Sequence, residues 1–412
     1  MIPATYSRLR GRSTCRGTKH MASAERRVRY PGFAASAVMF ILLMEAVIAS
    51  EGDPTWTENL PAVTPNRCSD YDLTGFTDAM GCGSPLSWPC FDFSRCREGG
   101  PTAYVYDPEC SLADSDKIDI RGLHNGVRYA AKRAGVLADT YESACFFISV
   151  DSNDPQCATA APLWNEGRNH VMFDLYDESR VERPSYSSSY AIEASTSQHT
   201  CYYRSGYDIS IGHCPQKLFH ELQSTPPDHR RYFLTFRGTL HIGYHGSEER
   251  TSIMSLHDEV EGIIVAQKCH KVPTMSPNLA EKCDELLSTY ESYNYDLLMN
   301  STFGLVPAGA SPGTYRLAEV MSAGCIPVIV ARDYVKPFPE EVDWSEFSFT
   351  FPPDEVPDMI RTLRSIPPEK LKQMQEKSLD AYWKMYGGKN DYSTVIRHVI
   401  DIVVKRILHQ EN

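Results

Sequence analysis

The chain has 412 residues, with 41 Lys and Arg against 53 Asp and Glu and a formal net charge of −12. Hydrophobic residues make up 42% and charged residues 23%, a globular balance that excludes a disordered or collagen-like chain. The charge is uneven: residues 1–50 hold eight basic and two acidic side chains and leave a body of net −18, which argues against nucleic acid as a partner because a phosphate backbone needs a basic face.

In chain order, residues 1–31 read as a basic cytosolic tail. Gly32 to Ser50 follows as GFAASAVMFILLMEAVIAS, with Glu45 its only charge. An apolar run behind Arg26, Arg27 and Arg29 reads as a signal-anchor that leaves the N-terminus in the cytosol and the body in the lumen. The alternative is a cleaved signal peptide ending near Val47-Ile48-Ala49-Ser50. Residues 51–88, rich in Pro, Gly, Asp and Ser, read as a stem. From Thr102 short apolar runs alternate with helical patterns. Strands are expected at 102–107, 145–150, 170–176 and 207–212, a helix at 121–135, and an irregular Ser/Tyr-rich stretch at 183–203. A second series has strands at 232–237, 262–267, 302–307 and 326–331 and helices at 247–259, 287–299 and 312–323. The tail, 354–409, reads as three helices. This alternation predicts an α/β fold of parallel sheets covered by helices, in two Rossmann-like domains (89–228 and 229–412) with a cleft between them.

Thirteen cysteines, twelve of them after the apolar run, fit an oxidising compartment. Cys269, His270 and Cys283 make only three of the four ligands a structural zinc site needs, so a disulfide closing a surface loop is the preferred reading. Asn300-Ser301-Thr302 is a glycosylation sequon, usable in the lumen.

The segment from Ser301 to Glu319 carries the chemistry. A strand runs into the loop Gly309-Ala310-Ser311-Pro312-Gly313 and then a helix. Ser311 is expected to cap that helix with Pro312 in its first turn, and such a start presents free N–H groups to phosphate. Arg316 would clamp a diphosphate and Glu319, three residues on, would accept hydrogen bonds from a ribose diol. The bland alternative is a solvated Arg–Glu surface pair. The loop also spells G-x-S-x-G, the hydrolase nucleophile elbow, but Pro312 lacks the N–H that its oxyanion hole requires.

The run TFGLVPAGASPGTYRLAEVMSAGCIPVIVARDYVKPFPEEVDW closely resembles the signature of the exostosin family, glycosyltransferase family 47. Further pieces match in order: Cys90-Phe91-Asp92-Phe93-Ser94-Arg95-Cys96, Tyr104-Val105-Tyr106, the stretch Leu163 to His170, Tyr207-Asp208-Ile209-Ser210 and Phe233-Leu234-Thr235-Phe236-Arg237-Gly238. Together they cover about residues 82–410. The resemblance implies a GT-B fold with the acceptor on the first domain and a UDP-sugar on the second. The implied activity is an inverting transfer to a glycan or polysaccharide, of glucuronic acid or a neutral sugar, with no metal or other cofactor required. It implies that Ser311, Gly313, Arg316, Glu319, Arg237 and Arg250 hold the nucleotide sugar. Asn169 would then stand on the acceptor side, and Asp208 and His170 would be the candidates for the base. Each also has a structural reading: Arg237 as a helix cap, Arg250 paired with Glu248 or Glu249, His170 as a core histidine, Asp208 as a cap.

Family cysteine spacing implies the bridges Cys82–Cys90, Cys96–Cys145 and Cys269–Cys283. The family also implies a single-pass type II protein of the Golgi or ER membrane, alone or in an oligomer with another exostosin-like chain. The alternative is a catalytically silent subunit that assists a partner transferase. Three departures stand out. The chain ends after the first of the two catalytic domains of the heparan-sulfate copolymerases, so one activity is expected, and Asp114-Ser115-Asp116 is a chance D-x-D. Gly304 stands where animal members carry a cysteine, so Cys325 is expected to be a free buried thiol. Ala310-Ser311 replaces arginines that would help read an acidic donor.

Overall fold

A computed structural model of the chain describes Cys82 and residues 90–96, 100–106, 120–150, 163–175, 190–240, 247–269, 277–309 and 311–410. The expected anchor, the stem other than Cys82, and Asp114-Ser115-Asp116 lie outside the described residues. Among the described residues no helix is long and apolar enough to cross a membrane.

Among the described residues, two five-stranded parallel sheets carry the fold. The first runs β1 (Ala103–Val105), β2 (Phe146–Val150), β3 (His170–Asp174), β4 (Ile192–Ser195), β5 (Ile209–Ser210) in simple order. Helix α1 (Ile120–Arg133) joins β1 to β2, as a parallel crossover requires. The second sheet contains β6 (Tyr232–Leu240), β7 (Ile263–Cys269), β8 (Ser301–Pro307), β9 (Ile326–Val330) and β10 (Phe349–Phe351), in spatial order β7-β6-β8-β9-β10. Its helices are α2 (Ser247–Ser252), α3 (Pro277–Ser292), α4 (Tyr295–Leu298), α5 (Arg316–Ser322), α6 (Val356–Arg364), α7 (Pro368–Tyr386) and α8 (Ser393–Gln410). Every residue of β8 and β9 is buried, as central parallel strands covered on both faces must be. In this order the chain leaves β6 toward β7 on one side and β8 on the other. Such a switch point opens a crevice at the carboxyl ends of the strands.

Four expectations need correction. The stretch expected to be irregular contains β4, whose Ile192, Glu193, Ala194 and Ser195 are all buried; two of the four are polar, so the run does not read as apolar. The helix expected at 287–299 begins ten residues earlier as α3 and breaks where Asn294 accepts hydrogen bonds from the N–H groups of Asp296 (2.8 Å) and Leu297 (3.3 Å) to start α4. Helix α2 stops at Ser252. Helix α5 begins at Arg316, with Tyr315 in the cap position and no side-chain cap, so neither Ser311 nor Pro312 opens it.

The bridges Cys82–Cys90, Cys96–Cys145 and Cys269–Cys283 are formed, each closing a loop at a typical gain of about 2–4 kcal/mol. Cys325 is a free buried thiol whose Sγ donates to the Met299 carbonyl at 3.1 Å. A Cβ on Gly304 would stand 2.5 Å from Val320 Cγ2, so a side chain there would push β8 off α5.

The halves are tied beyond the linker. Helix α8 packs against α1, and Arg406 donates to the carbonyls of Tyr207 (2.5 Å) and Asp208 (3.3 Å) while pairing with Glu340 at 2.7 Å. The Phe338 N–H reaches the Ser210 carbonyl at 2.8 Å and the Ser210 hydroxyl reaches Val335 at 2.6 Å.

Candidate functional site

A cavity of about 620 Å³ lies at the switch point. The ends of β6 and β7 supply Arg237, Gly238, Thr239 and Lys268; the loop after β8 supplies Gly309, Ser311, Gly313, Thr314 and Tyr315; α5 supplies Arg316 and Glu319. Arg250 comes from α2, Tyr290 from α3, Tyr295 from α4, and Gln216 and Lys217 from the chain linking the sheets. Among the described residues five cations thus face one carboxylate, in a chain whose body is acidic.

Arg316 is the centre of it. Its side chain is 8% exposed. Nη2 donates to the Arg237 carbonyl at 2.6 Å, and the guanidinium carbon sits 4.5 Å from the centroid of the Tyr295 ring. Nε stands 3.9 Å from Glu319 Oε2, beyond hydrogen-bond reach. Nε and Nη1 are both buried without a hydrogen-bond partner. Glu319 is engaged on both oxygens: Oε1 accepts the Lys217 N–H at 3.1 Å and Oε2 accepts the Tyr295 hydroxyl. Burial raises its pKa, against the pull of Arg316 and the hydrogen bond from Tyr295. The pair is therefore no solvated surface pair.

The guanidinium carbon of Arg237 stands over Tyr290, 3.5 Å from the ring centroid, and Lys268 Nζ is 5.1 Å from the same centroid. Arg237 Nε donates to the Tyr290 carbonyl at 3.2 Å. Arg250 lines the cavity but spends its Nε on the Ala308 carbonyl at 2.9 Å and its Nη1 on the Thr239 carbonyl, joining the end of β6 to the loop after β8. The Ser311 hydroxyl donates to Gly313 O at 3.2 Å and accepts from Ser197 across the cleft at 2.8 Å. Gly313 has no room for a side chain: a Cβ would meet the Thr196 carbonyl at 1.9 Å. That approach brings the carboxyl edge of β4 against the loop.

Beside Arg250, Glu249 is buried, and burial pushes its carboxyl up to about 7 from 4.5, with Glu248 adding to the rise and Arg332 and Arg250 opposing it. Between those values the folded protein holds a proton that the unfolded chain has shed, so stability falls as pH rises through that window. Glu249→Gln is expected to stabilise the protein at pH 8 by on the order of 2–3 kcal/mol and to change little at pH 4, read by thermal melts at the two pH values.

The other expected site residues lie elsewhere. Asn169 and His170 stand at the amino end of β3, the edge of the sheet opposite to the strands' carboxyl ends. Asn169 ties the disulfide-bonded segment to the sheet: its Nδ2 donates to Asp92 O (2.8 Å) and Cys145 O (2.7 Å), and its Oδ1 accepts the Asp92 N–H at 2.7 Å. His170 is stacked on Phe147 at 4.8 Å, with Nε2 3.1 Å from the Tyr106 hydroxyl and Nδ1 2.9 Å from the Arg168 carbonyl; burial lowers its pKa to about 4. It is the core histidine of the structural reading. Asp208 is fully buried, holds Arg204 with Oδ2 on Nε at 2.9 Å and Oδ1 on Nη2 at 2.6 Å, and accepts the Glu193 N–H at 3.0 Å. Neither candidate base reaches the cavity. Asn300 is half-buried just ahead of β8, and Thr302 of the sequon bonds the Pro227 carbonyl at 2.8 Å. Among the described residues no three His, Cys, Asp or Glu side chains are grouped to hold a metal ion.

Sequence reading missed Lys268, Tyr290, Tyr295, Gln216 and Lys217. Lys268 is within reach of it, because it directly follows the strand expected at 262–267, at the carboxyl edge; Tyr290 and Tyr295 come from the stretch expected as one helix at 287–299, and Gln216 and Lys217 from an irregular linker.

The chain resembles Exostosin-1 of Drosophila melanogaster, at 30% identity over 73% of this chain and 42% of that protein, and Exostosin-1c of Danio rerio, at 29% over 77% and 45%. It spans under half the length of these curated relatives. Among solved structures, Anabaena Alr3699/HepE in complex with UDP-glucose aligns at 10% identity and a TM-score of 0.39, covering 74% of this chain and 99% of that one; so loose a superposition says nothing of function. The family model for the Exostosin GT47 domain matches residues 136–366, a span that holds the ends of β6 and β7, the loop after β8 and both Arg316 and Glu319, and the chain belongs to the exostosin GT47 family.

Proposed function

We propose that the chain is an inverting glycosyltransferase of GT-B type that takes a sugar from a UDP-sugar and passes it to a glycan acceptor. One observation carries the reading: the two unpartnered N–H groups of buried Arg316 in a cation-lined cavity. Leaving a buried donor unsatisfied costs about 1–3 kcal/mol, more for a charged group, and a diphosphate supplies the charge-assisted acceptors that remove that cost. In this reading Arg316 and Arg237 face the diphosphate, Arg250 adds charge while holding the loop, Ser311 and Gly313 shape the loop around it, and a remaining lone pair of Glu319 takes a ribose hydroxyl. Stabilising the departing diphosphate by fixed cations is the largest contribution such a site makes to transfer. The acceptor enters from the first sheet, whose carboxyl edge meets the loop at Thr196 and Ser197.

The donor sugar is glucuronic acid or a neutral sugar, and the charge count favours the acid. Lys217 is spent on Asp296 at 2.5 Å, which among the described residues leaves Arg237, Arg250, Lys268 and Arg316 against Glu319. A UDP-sugar diphosphate brings two negative charges, and a uronate brings a third. UDP-glucuronate is expected to bind about tenfold more tightly than UDP-glucose at low ionic strength, with the gap narrowing as salt is added. Calorimetric titration of the purified protein with UDP and both sugars tests the reading: no UDP binding overturns it. Release of UDP with oligosaccharide acceptors separates a transferase from a silent subunit. The bridges Cys82–Cys90, Cys96–Cys145 and Cys269–Cys283 support a body in the Golgi or ER lumen, held there by the expected anchor.

A further inference from the structure

Arg316 and Glu319 are three residues apart on one helix, both buried and of opposite charge. In a low-dielectric site such a pair would close into a direct hydrogen-bonded ion pair, and the guanidinium would then have little left for a ligand. Here it has not closed. The distance is 3.9 Å, and the oxygen nearest the guanidinium, Oε2, already accepts the Tyr295 hydroxyl. The same residue's ring lies under the guanidinium at 4.5 Å. Tyr295 is itself held from three sides. It opens α4 on the Asn294 cap, its ring meets Phe219 edge-on at 5.7 Å, and its neighbour Asp296 is clamped by Lys217, whose backbone N–H holds the other oxygen of Glu319. Burial keeps the phenol protonated, its pKa raised well above 10, so it remains a donor throughout the working range.

We propose that Tyr295 is a positioning residue for the nucleotide: its hydroxyl holds Glu319 off the guanidinium and its ring shelves Arg316, so that Nε and Nη1 stay directed at the diphosphate. The inference rests on the nucleotide-binding reading above and adds to it how the arginine is kept available. No residue of the ligand-facing set other than Tyr295 touches both members of the pair with a side chain among the hydrogen bonds and ring contacts described.

The test is a set of titrations on the full chain with UDP and, separately, with inorganic pyrophosphate, which reads the arginine without the ribose contact. Tyr295→Phe keeps the ring and removes the hydroxyl. It is expected to weaken both ligands about tenfold or more, as Glu319 swings onto Arg316. Tyr295→Phe combined with Glu319→Gln removes the charge that draws the arginine in, and is expected to recover most of the lost pyrophosphate affinity. A purely structural role for the tyrosine would give no such recovery. Thermal melts accompany each variant. Wild-type affinity in Tyr295→Phe, or a loss that persists in the folded double variant, overturns the inference while leaving the proposed function standing. Failure of the wild type to bind UDP overturns the proposed function and this inference together.

Discussion

Arg316→Ala is expected to weaken UDP binding by about 100- to 1000-fold, the loss of two charge-assisted hydrogen bonds from a buried side chain. The argument is one of unequal states. Without ligand the guanidinium makes one hydrogen bond among the described residues, to the Arg237 carbonyl, and leaves Nε and Nη1 without acceptors. With a diphosphate those two groups are satisfied, so the arginine contributes more to the complex than to the free protein. Arg316→Lys is expected to recover only a small part, because an ammonium cannot present two parallel donors or stack on Tyr295 as a planar group does. Calorimetric titration with UDP, beside a thermal melt that reports folding, measures both. Affinity unchanged in a folded Arg316→Ala protein would remove the physical basis of the transferase reading.

Asp208→Asn is expected to lower stability by about 3–5 kcal/mol, the usual result of removing one partner of a buried ion pair. Arg204 is 3% exposed and donates to the carboxylate through Nε, Nη2 and its own backbone N–H. Asparagine would keep the shape and withdraw the charge, leaving the guanidinium buried and uncompensated. The strand edge would suffer as well, because the carboxylate also accepts the Glu193 N–H that positions β4. The thermal midpoint is expected to fall by roughly 10 °C, while the protein that remains folded binds UDP with wild-type affinity. A base role would give the reverse pattern: an unchanged midpoint and lost transfer.

Much of this architecture was readable in advance. The strand patterns at 145–150, 170–176 and 326–331 lie within two residues of β2, β3 and β9 because each is mostly apolar and buried, with polar residues few or at the ends, as Ser149 in β2 and His170 and Asp174 in β3. Arg316 and Glu319 draw notice for a different reason: they open the helix that follows a Gly-rich loop at the carboxyl end of a parallel strand. Asp208 looks available because its partner Arg204, only four residues back, lies in a turn rather than on a helix, where that spacing is not read as a pair. His170 was placed at the start of a strand by its own sequence, and the rule that ligands gather at carboxyl ends would have set it aside. Tyr295 sat inside an expected helix. Only the Asn294 cap, which ends one helix and begins another, turns it toward Arg316.

The return of α8 to α1 has a consequence for the order of synthesis. Arg406 closes on carbonyls 199 and 198 positions behind it. A ribosome adds about 5–20 residues per second, so the first half waits on the order of ten seconds or more for the helix that completes it. During that interval its newly made surface is open to chaperones and to premature association, and the two sheets are locked together only once α8 has emerged.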